Sequence, residues 1–151
     1  MTSKDWSGIR FFSPQENWGN PGLMVLEFVQ TLEEFRQYLG LSLVISCGTQ
    51  GNHTADSWHY KGRAADIIIP DMAGKTLLDV GLQASRFGFT GIGLYRDWSY
   101  NGKRVGGLHL ERAPGIPIRK YWLCTKEDGA QVYHEFSESN LTKLGFIGGA
   151  I

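Results

Sequence analysis

The sequence predicts an α+β fold in which two helices pack on one face of a small antiparallel sheet of about four to six strands. Two stretches carry apolar residues at three- and four-residue spacing, the period of a helix with one buried face. Several shorter runs are rich in β-branched and large apolar residues, as strands are. Between two such runs stands Asn101-Gly102, the strongest short hairpin signal a chain carries. The 20 glycines are scattered through the chain, which points to tight turns and short elements instead of a flexible linker.

Residues 21–39 form the clearest helix. Asn20 caps it, Pro21 suits its first turn and Gly40 closes it. Leu26, Phe28, Val29, Leu32, Phe35 and Leu39 supply its buried face. Residues 41–47, Leu-Ser-Leu-Val-Ile-Ser-Cys, read as a strand. Residues 48–63 are a long polar loop with Gly, Asn and Ser, and a structureless loop of that length in a compact domain is usually functional. A second strand covers 65–70 and ends at Pro70. The second helix runs over 75–87, with Leu77, Leu78, Leu82 and Phe87 apolar and Gly88 as its stop. Strands at 91–100 and 104–111 flank the hairpin turn. From Lys126 onward, polar character and Gly148-Gly149 suggest a partly ordered extension.

A chain of 151 residues suffices for one domain with one core. Its 15 basic and 15 acidic side chains cancel, which leaves no polyanion-binding surface and argues against a nucleic-acid partner. No stretch approaches the ~20 apolar residues of a membrane span, and the amino terminus lacks the apolar region of a signal peptide. The expectation is a monomer made in the cytoplasm without a signal peptide and without membrane insertion. Cys47 and Cys124 lie in apolar contexts and neither belongs to a Cys-x-x-Cys pair. They read as buried free thiols, poor candidates for a disulfide or for zinc.

The chemistry concentrates at His59, Asp66 and His109. Two imidazoles and one carboxylate hold a zinc ion while leaving a fourth position for water, whereas structural zinc sites are usually closed by four protein ligands. His59 ends the long loop and Asp66 begins the next strand, so both point into one cleft. An acid beside the apolar run Ile67-Ile68-Ile69 asks for a partner such as a metal. A regular hairpin pairs Tyr100 with Lys103, Trp98 with Val105, Arg96 with Gly107 and Leu94 with His109. Alternation then puts His109, Glu111, Arg96 and Trp98 on one face and Asp97 on the other, unless the register slips by one. His53 and His134 read as ordinary hydrogen-bonded residues.

Ser57-Trp-His-Tyr-Lys-Gly-Arg-Ala-Ala-Asp66, followed by Gly107-Leu-His-Leu-Glu111 and then Tyr121-Trp122, resembles the zinc D-Ala-D-Ala metallopeptidases. That family includes peptidoglycan carboxypeptidases, phage L-Ala-D-Glu endopeptidase endolysins and murein endopeptidases, and it shares its fold with the amino-terminal domain of hedgehog proteins. Its signature is Ser-x-His-x-x-Gly-x-Ala-x-Asp with a later histidine. Ser57, His59, Gly62, Ala64 and Asp66 match the fixed positions, and His109 stands where the last ligand belongs. The resemblance covers roughly residues 40–123 of a single peptidase domain.

Two departures stand out. Family members carry an arginine after the strand preceding the loop, where it binds a substrate carboxylate or the developing oxyanion; here that stretch is Ser46-Cys-Gly-Thr-Gln-Gly51. Arg96 is the expected replacement and Arg63 a weaker one. Many members also place an acidic base three residues before the last histidine, where this chain has Gly106. Glu111 then serves either as base or as a group orienting a ligand, with Asp97 in reserve.

The resemblance implies a zinc-dependent hydrolase that cuts an amide bond in the peptidoglycan stem peptide or cross-link. Zn²⁺ would sit on His59, Asp66 and His109, Glu111 would move the proton and Arg96 would steady the negative charge. Ser57, Trp58 and Trp98, with Tyr95, would contact substrate. Such a protein would act on the cell wall after release, as an endolysin, or as a virion component. The competing expectation is a catalytically inactive zinc-binding module on the same fold that binds the wall or serves as a phage tail part.

Overall fold

The structure, a computed structural model, describes residues 1–147; Gly148 and Gly149 lie outside the described residues. In chain order the elements are α1 (Ser3–Ser7), a single 3-10 turn (Pro21–Leu23), α2 (Leu26–Leu39), β1 (Val44–Cys47), β2 (Ala64–Ile68) and α3 (Leu77–Ala84). They continue with β3 (Gly91–Tyr95), β4 (Ser99–Tyr100), β5 (Lys103–Arg104), β6 (Gly107–Glu111), β7 (Lys120–Glu127), β8 (Ala130–Glu135) and α4 (Glu138–Lys143). The fold is α+β, as the periodicities predict, but the sheet is mixed. Six strands lie in the order β1-β2-β6-β3-β7-β8, with β4-β5 as a separate ribbon. All neighbours in the large sheet run antiparallel except β3 and β7, which are parallel. The cause is topological. β6 inserts between β2 and β3, so the chain returning from β6 must skip over β3 and pair along its far edge.

Alternation divides the sheet into two unlike faces. Ala65, Ile67, Ile92, Leu94, Leu108, Leu110 and Leu123 point to one side and join a single apolar cluster with the helices. There Phe28 and Phe35 of α2 meet Phe89 edge-on, and Gly81 of α3 lies against Leu94. The opposite face carries Asp66, His109, Glu111, Tyr95 and Trp122 in facing positions. Residues 48–63 have no helix or strand and cover part of that face, as the polar loop predicts.

Three elements depart from expectation. The helix expected over 21–39, α2, begins at Leu26, not at Pro21. Asn20 does act as a cap, its side chain accepting from Gly22 N at 3.0 Å, but it caps only the 3-10 turn. Met24 is then extended, so that Val25 N can donate to Gly62 O at 3.0 Å before the helix starts. Four α-helices are present among the described residues where two were expected, because α1 and α4 are too short to show a period. Residues 126–147 are ordered: they complete β7, add β8 and include α4, whose Leu141 reaches the core. Their polar composition reflects an edge strand, exposed along much of its length.

Gly62 fixes how the loop returns to the sheet. Its φ is +67°, and a Cβ there would stand 1.9 Å from the carbonyl oxygen of Leu23. Gly40, at φ +66°, has open space around it. Gly40→Ala should therefore cost only the left-handed penalty of about 1–2 kcal/mol. Gly62→Ala should cost about 3 kcal/mol or more, because backbone must also move. Urea unfolding of the two variants measures the difference; equal losses would show that the approach to Leu23 carries no weight.

Candidate metal centre and cleft

The three expected ligands converge. Asp66 and His109 are direct partners across β2 and β6, and His59 descends onto them from the loop. Asp66 Oδ1 lies 2.9 Å from His109 Nδ1 and 3.4 Å from His59 Nε2, and the two imidazole nitrogens are 3.2 Å apart. A tetrahedral ion with bonds of about 2.0–2.1 Å needs donor separations of about 3.3 Å. The triad therefore forms one face of such a tetrahedron with almost no rearrangement. Both imidazoles are buried, at 2% and 8% exposure, while Asp66 is half-buried.

Each imidazole is held by its other nitrogen. His59 Nδ1–H donates to Gly48 O at 2.7 Å, and His109 Nε2–H donates to Glu111 Oε2 at 2.9 Å. These bonds select the tautomers that turn the remaining nitrogen lone pairs toward Asp66. The signature residues support the same geometry. Ser57 Oγ accepts from His59 N at 3.2 Å, and Ala64 is fully buried opposite Glu111. Gly48 is itself pressed onto Trp18, whose carbonyl oxygen a Cβ at Gly48 would meet at 2.4 Å.

In the metal-free protein a proton takes the place of the ion. Burial alone would lower the His109 pKa, but hydrogen bonds to Asp66 and Glu111, and their charges, override it and raise it to about 9. Burial likewise opposes ionisation of Asp66, yet the hydrogen bond from His109 and the two imidazoles beside it hold its carboxyl well below the ordinary carboxylate range. His109 is thus an imidazolium clamped between two carboxylates.

The hairpin follows the expected pairing only at its tip, where Tyr100 faces Lys103 and Ser99 faces Arg104. Val105 N and Gly106 N then both donate to Trp98 O at 3.0 Å, and Tyr95 faces Gly107, so Arg96 and Asp97 stand against the single Gly106 and the register shifts by one. His109 therefore faces Gly93, not Leu94. Arg96 leaves the metal face: its guanidinium chelates Asp97 at 2.9 Å through two nitrogens and donates to Leu144 O. Asp97 is equally committed, to Arg96, to Arg104 and to Lys126 N, so it is no base for this site. Arg63 points to Glu27 at 3.6 Å and does not line the cleft.

Above the triad opens a cleft of about 740 Å³. Ser57, Trp58, Tyr95 and Trp98 line it, as expected, together with Glu111. Trp98 reaches it by stacking on Tyr95, with centroids 4.1 Å apart. Sequence reasoning missed the far wall, Lys120, Trp122 and Tyr133, because β7 and β8 were not read as strands. The alternation of Lys120, Trp122 and Cys124 was the available signal. Trp122 fits only because Gly93 lacks a side chain; a Cβ there would meet its ring at 2.5 Å. Lys120 is the one lysine or arginine lining the cleft and has no ion-pair partner within 4 Å among the described residues.

His134 behaves as an ordinary residue, hydrogen-bonded to Thr125 at 2.8 Å. His53 does not. Its ring stacks on His59 at 4.0 Å, and its Nε2 lies 3.5 Å from Cys47 Sγ. Both cysteines are free. Cys124 is buried, whereas Cys47 is half-buried, and burial with the nearby Asp66 charge pushes its thiol up to about 12. Among the described residues no helix is long and apolar enough to cross a membrane.

Comparison of the chain with family models, with curated proteins and with solved structures gives no match in any of the three.

The raised His109 pKa fixes the sign of a pH dependence. In the metal-free protein its contribution, on the order of 2–3 kcal/mol, is complete below the unfolded value near 6.5 and is lost as pH rises through about 9. Urea midpoints in chelator should therefore fall between pH 6.5 and 10, with a smaller step in Glu111→Gln. With Zn²⁺ the stabilisation should grow over the same range, because the ion must displace the Nδ1 proton. A metal-free midpoint that is flat or rising would show that His109 carries no such proton.

Proposed function

We propose that this protein is a zinc-dependent peptidase that hydrolyses an amide bond of the peptidoglycan stem peptide or its cross-link. The observation that carries the reading is the triad itself. Three donors stand 2.9–3.4 Å apart, and each imidazole is pinned through its outer nitrogen so that its inner one faces Asp66. Three ligands beneath an open cleft are the arrangement of a catalytic ion. The resemblance of the Ser57–Asp66 stretch and of His109 to the D-Ala-D-Ala metallopeptidases supplies the substrate class.

His59, Asp66 and His109 would hold the ion, and zinc supplies Lewis-acid activation of water and of the scissile carbonyl. Glu111 keeps His109 in its ligating tautomer through Oε2. Glu111 lines the cleft and its Oε1 makes no hydrogen bond among the described residues, so this carboxylate would accept the proton of the attacking water and return it to the leaving amine. Lys120 takes the part first expected of Arg96: as the one lysine or arginine lining the cleft among the described residues, it attracts a carboxylate of the stem peptide. Trp58, Trp98 and Trp122 enclose the chain on either side and exclude water from it.

A second reading, a zinc-loaded binding module without catalysis, draws on the engagement of Glu111 by His109 and on Gly106 in the place of an acid. Digestion of purified peptidoglycan by zinc-loaded protein, with mass spectrometry of released peptides, separates the two. Defined stem-peptide fragments, absent with His109→Ala, are the expected result. Intact sacculi with zinc bound would leave the binding module.

Two substitutions test the roles within the hydrolase. Lys120→Met should raise KM about tenfold for peptides with a free carboxylate, the loss of one charge-assisted hydrogen bond, and leave amidated peptides unchanged. Arg96→Ala should change kcat/KM by less than about threefold while lowering stability by about 1–3 kcal/mol, since Asp97 is left with a partner missing. A large loss of turnover in Arg96→Ala would return that residue to the site.

A further inference from the structure

We infer that Cys47, His53 and the main-chain carbonyl of Gln50 form a second metal position, beside the first and sharing no ligand with it, suited to a thiophilic ion such as Zn²⁺. The three donors follow one another from the end of β1 into the loop at a spacing of three residues, Cys47-x-x-Gln50-x-x-His53. Cys47 Sγ lies 3.0 Å from Gln50 O and 3.5 Å from His53 Nε2, and that nitrogen is 3.0 Å from the same oxygen. Zinc bonds of about 2.3 Å to sulfur and about 2.0–2.1 Å to nitrogen and oxygen require tetrahedral edges of about 3.3–3.6 Å. The triangle needs to open by only a few tenths of an ångström.

His59 is close to this group but is not part of it, although its ligand atom falls within 4.8 Å of those of Cys47 and His53. A nitrogen lone pair lies in the plane of its ring. The rings of His53 and His59 are stacked at 4.0 Å with only 11° between their planes, so their lone pairs do not converge on one ion. His59 Nδ1 is moreover occupied by its hydrogen bond to Gly48 O. The third donor is therefore the Gln50 carbonyl, with the fourth position open to solvent.

Without metal, the thiol and the imidazole both direct their protons at that one carbonyl. On binding, the thiol releases its proton to solvent as the sulfur–metal bond forms. His53 shifts its proton to Nδ1 and ligates through Nε2, so one proton leaves for each ion bound. The ion ties 47, 50 and 53 together. Through the ring stack it steadies His59, so loop order and the first site become linked without a shared ligand.

Titration of metal-free protein with Co²⁺ tests this without reference to hydrolysis. Two ions per chain are expected, with a thiolate-to-cobalt charge-transfer band in the near ultraviolet. His53→Asn and Cys47→Ala should each lose the band and one ion. His109→Ala should lose the other ion and keep the band, and Cys124→Ala should keep both ions and the band. If Cys47→Ala does not fold, His53→Asn carries the same comparison. A single ion per chain, or a second ion with no thiolate band, overturns the proposal.

Discussion

The register of β6 between β2 and β3 is the constraint on which the site depends. Side chains alternate along a strand, so a slip of one residue would turn His109 into the apolar core and Leu108 or Leu110 into the cleft. The irregularity between Tyr95 and Trp98, where Arg96 and Asp97 stand against the single Gly106, prevents this. It converts the pairing set by the Asn101-Gly102 turn into one that places Asp66, His109, Gly93 and Trp122 in a row across four strands. The row then orders itself by size. Asp66 and His109 make the short polar contact, the bare Gly93 gives clearance, and the Trp122 ring fills it, 5.1 Å from the His109 ring.

Support for the third ligand comes from the opposite direction and from a distant part of the chain. Trp18, fully buried and in contact with Trp6 and Phe12, accepts hydrogen bonds on its carbonyl from Thr49 N and Thr49 Oγ1. Gly48 is thereby seated on Trp18, and the Gly48 carbonyl fixes His59. The amino-terminal segment, which contributes nothing to the lining of the cleft, thus sets the orientation of an imidazole in it.

The elements with strong local signals were legible in the sequence. The α2 face, the β2 run, the hairpin tip and the polar loop depend on contacts a few residues apart, and the Ser57–Asp66 stretch bears its spacing openly. What escaped depends on non-local pairing. Nothing near Lys120 says that β7 lies parallel to β3, and β8, exposed along one edge, lacks the apolar alternation of an inner strand. The bulge had one sign in Gly106, but its effect was to remove Arg96 and Asp97 from the site and let them neutralise each other. Lys120 and Trp122 entered from the strand that had not been foreseen. The proximity of Asp66 and His109 was untouched by these errors because it depends only on their facing each other across one antiparallel pair.

The clamped imidazolium has a consequence for how the protein comes to be assembled. A small zinc domain whose ligands repel one another when empty cannot fold until metal arrives. Here the charge of the buried carboxylate is already balanced by the cation that His109 becomes, and the apolar cluster lies on the other side of the sheet. The fold is therefore complete with the triad empty, and the proton on His109 is what any incoming cation would have to displace.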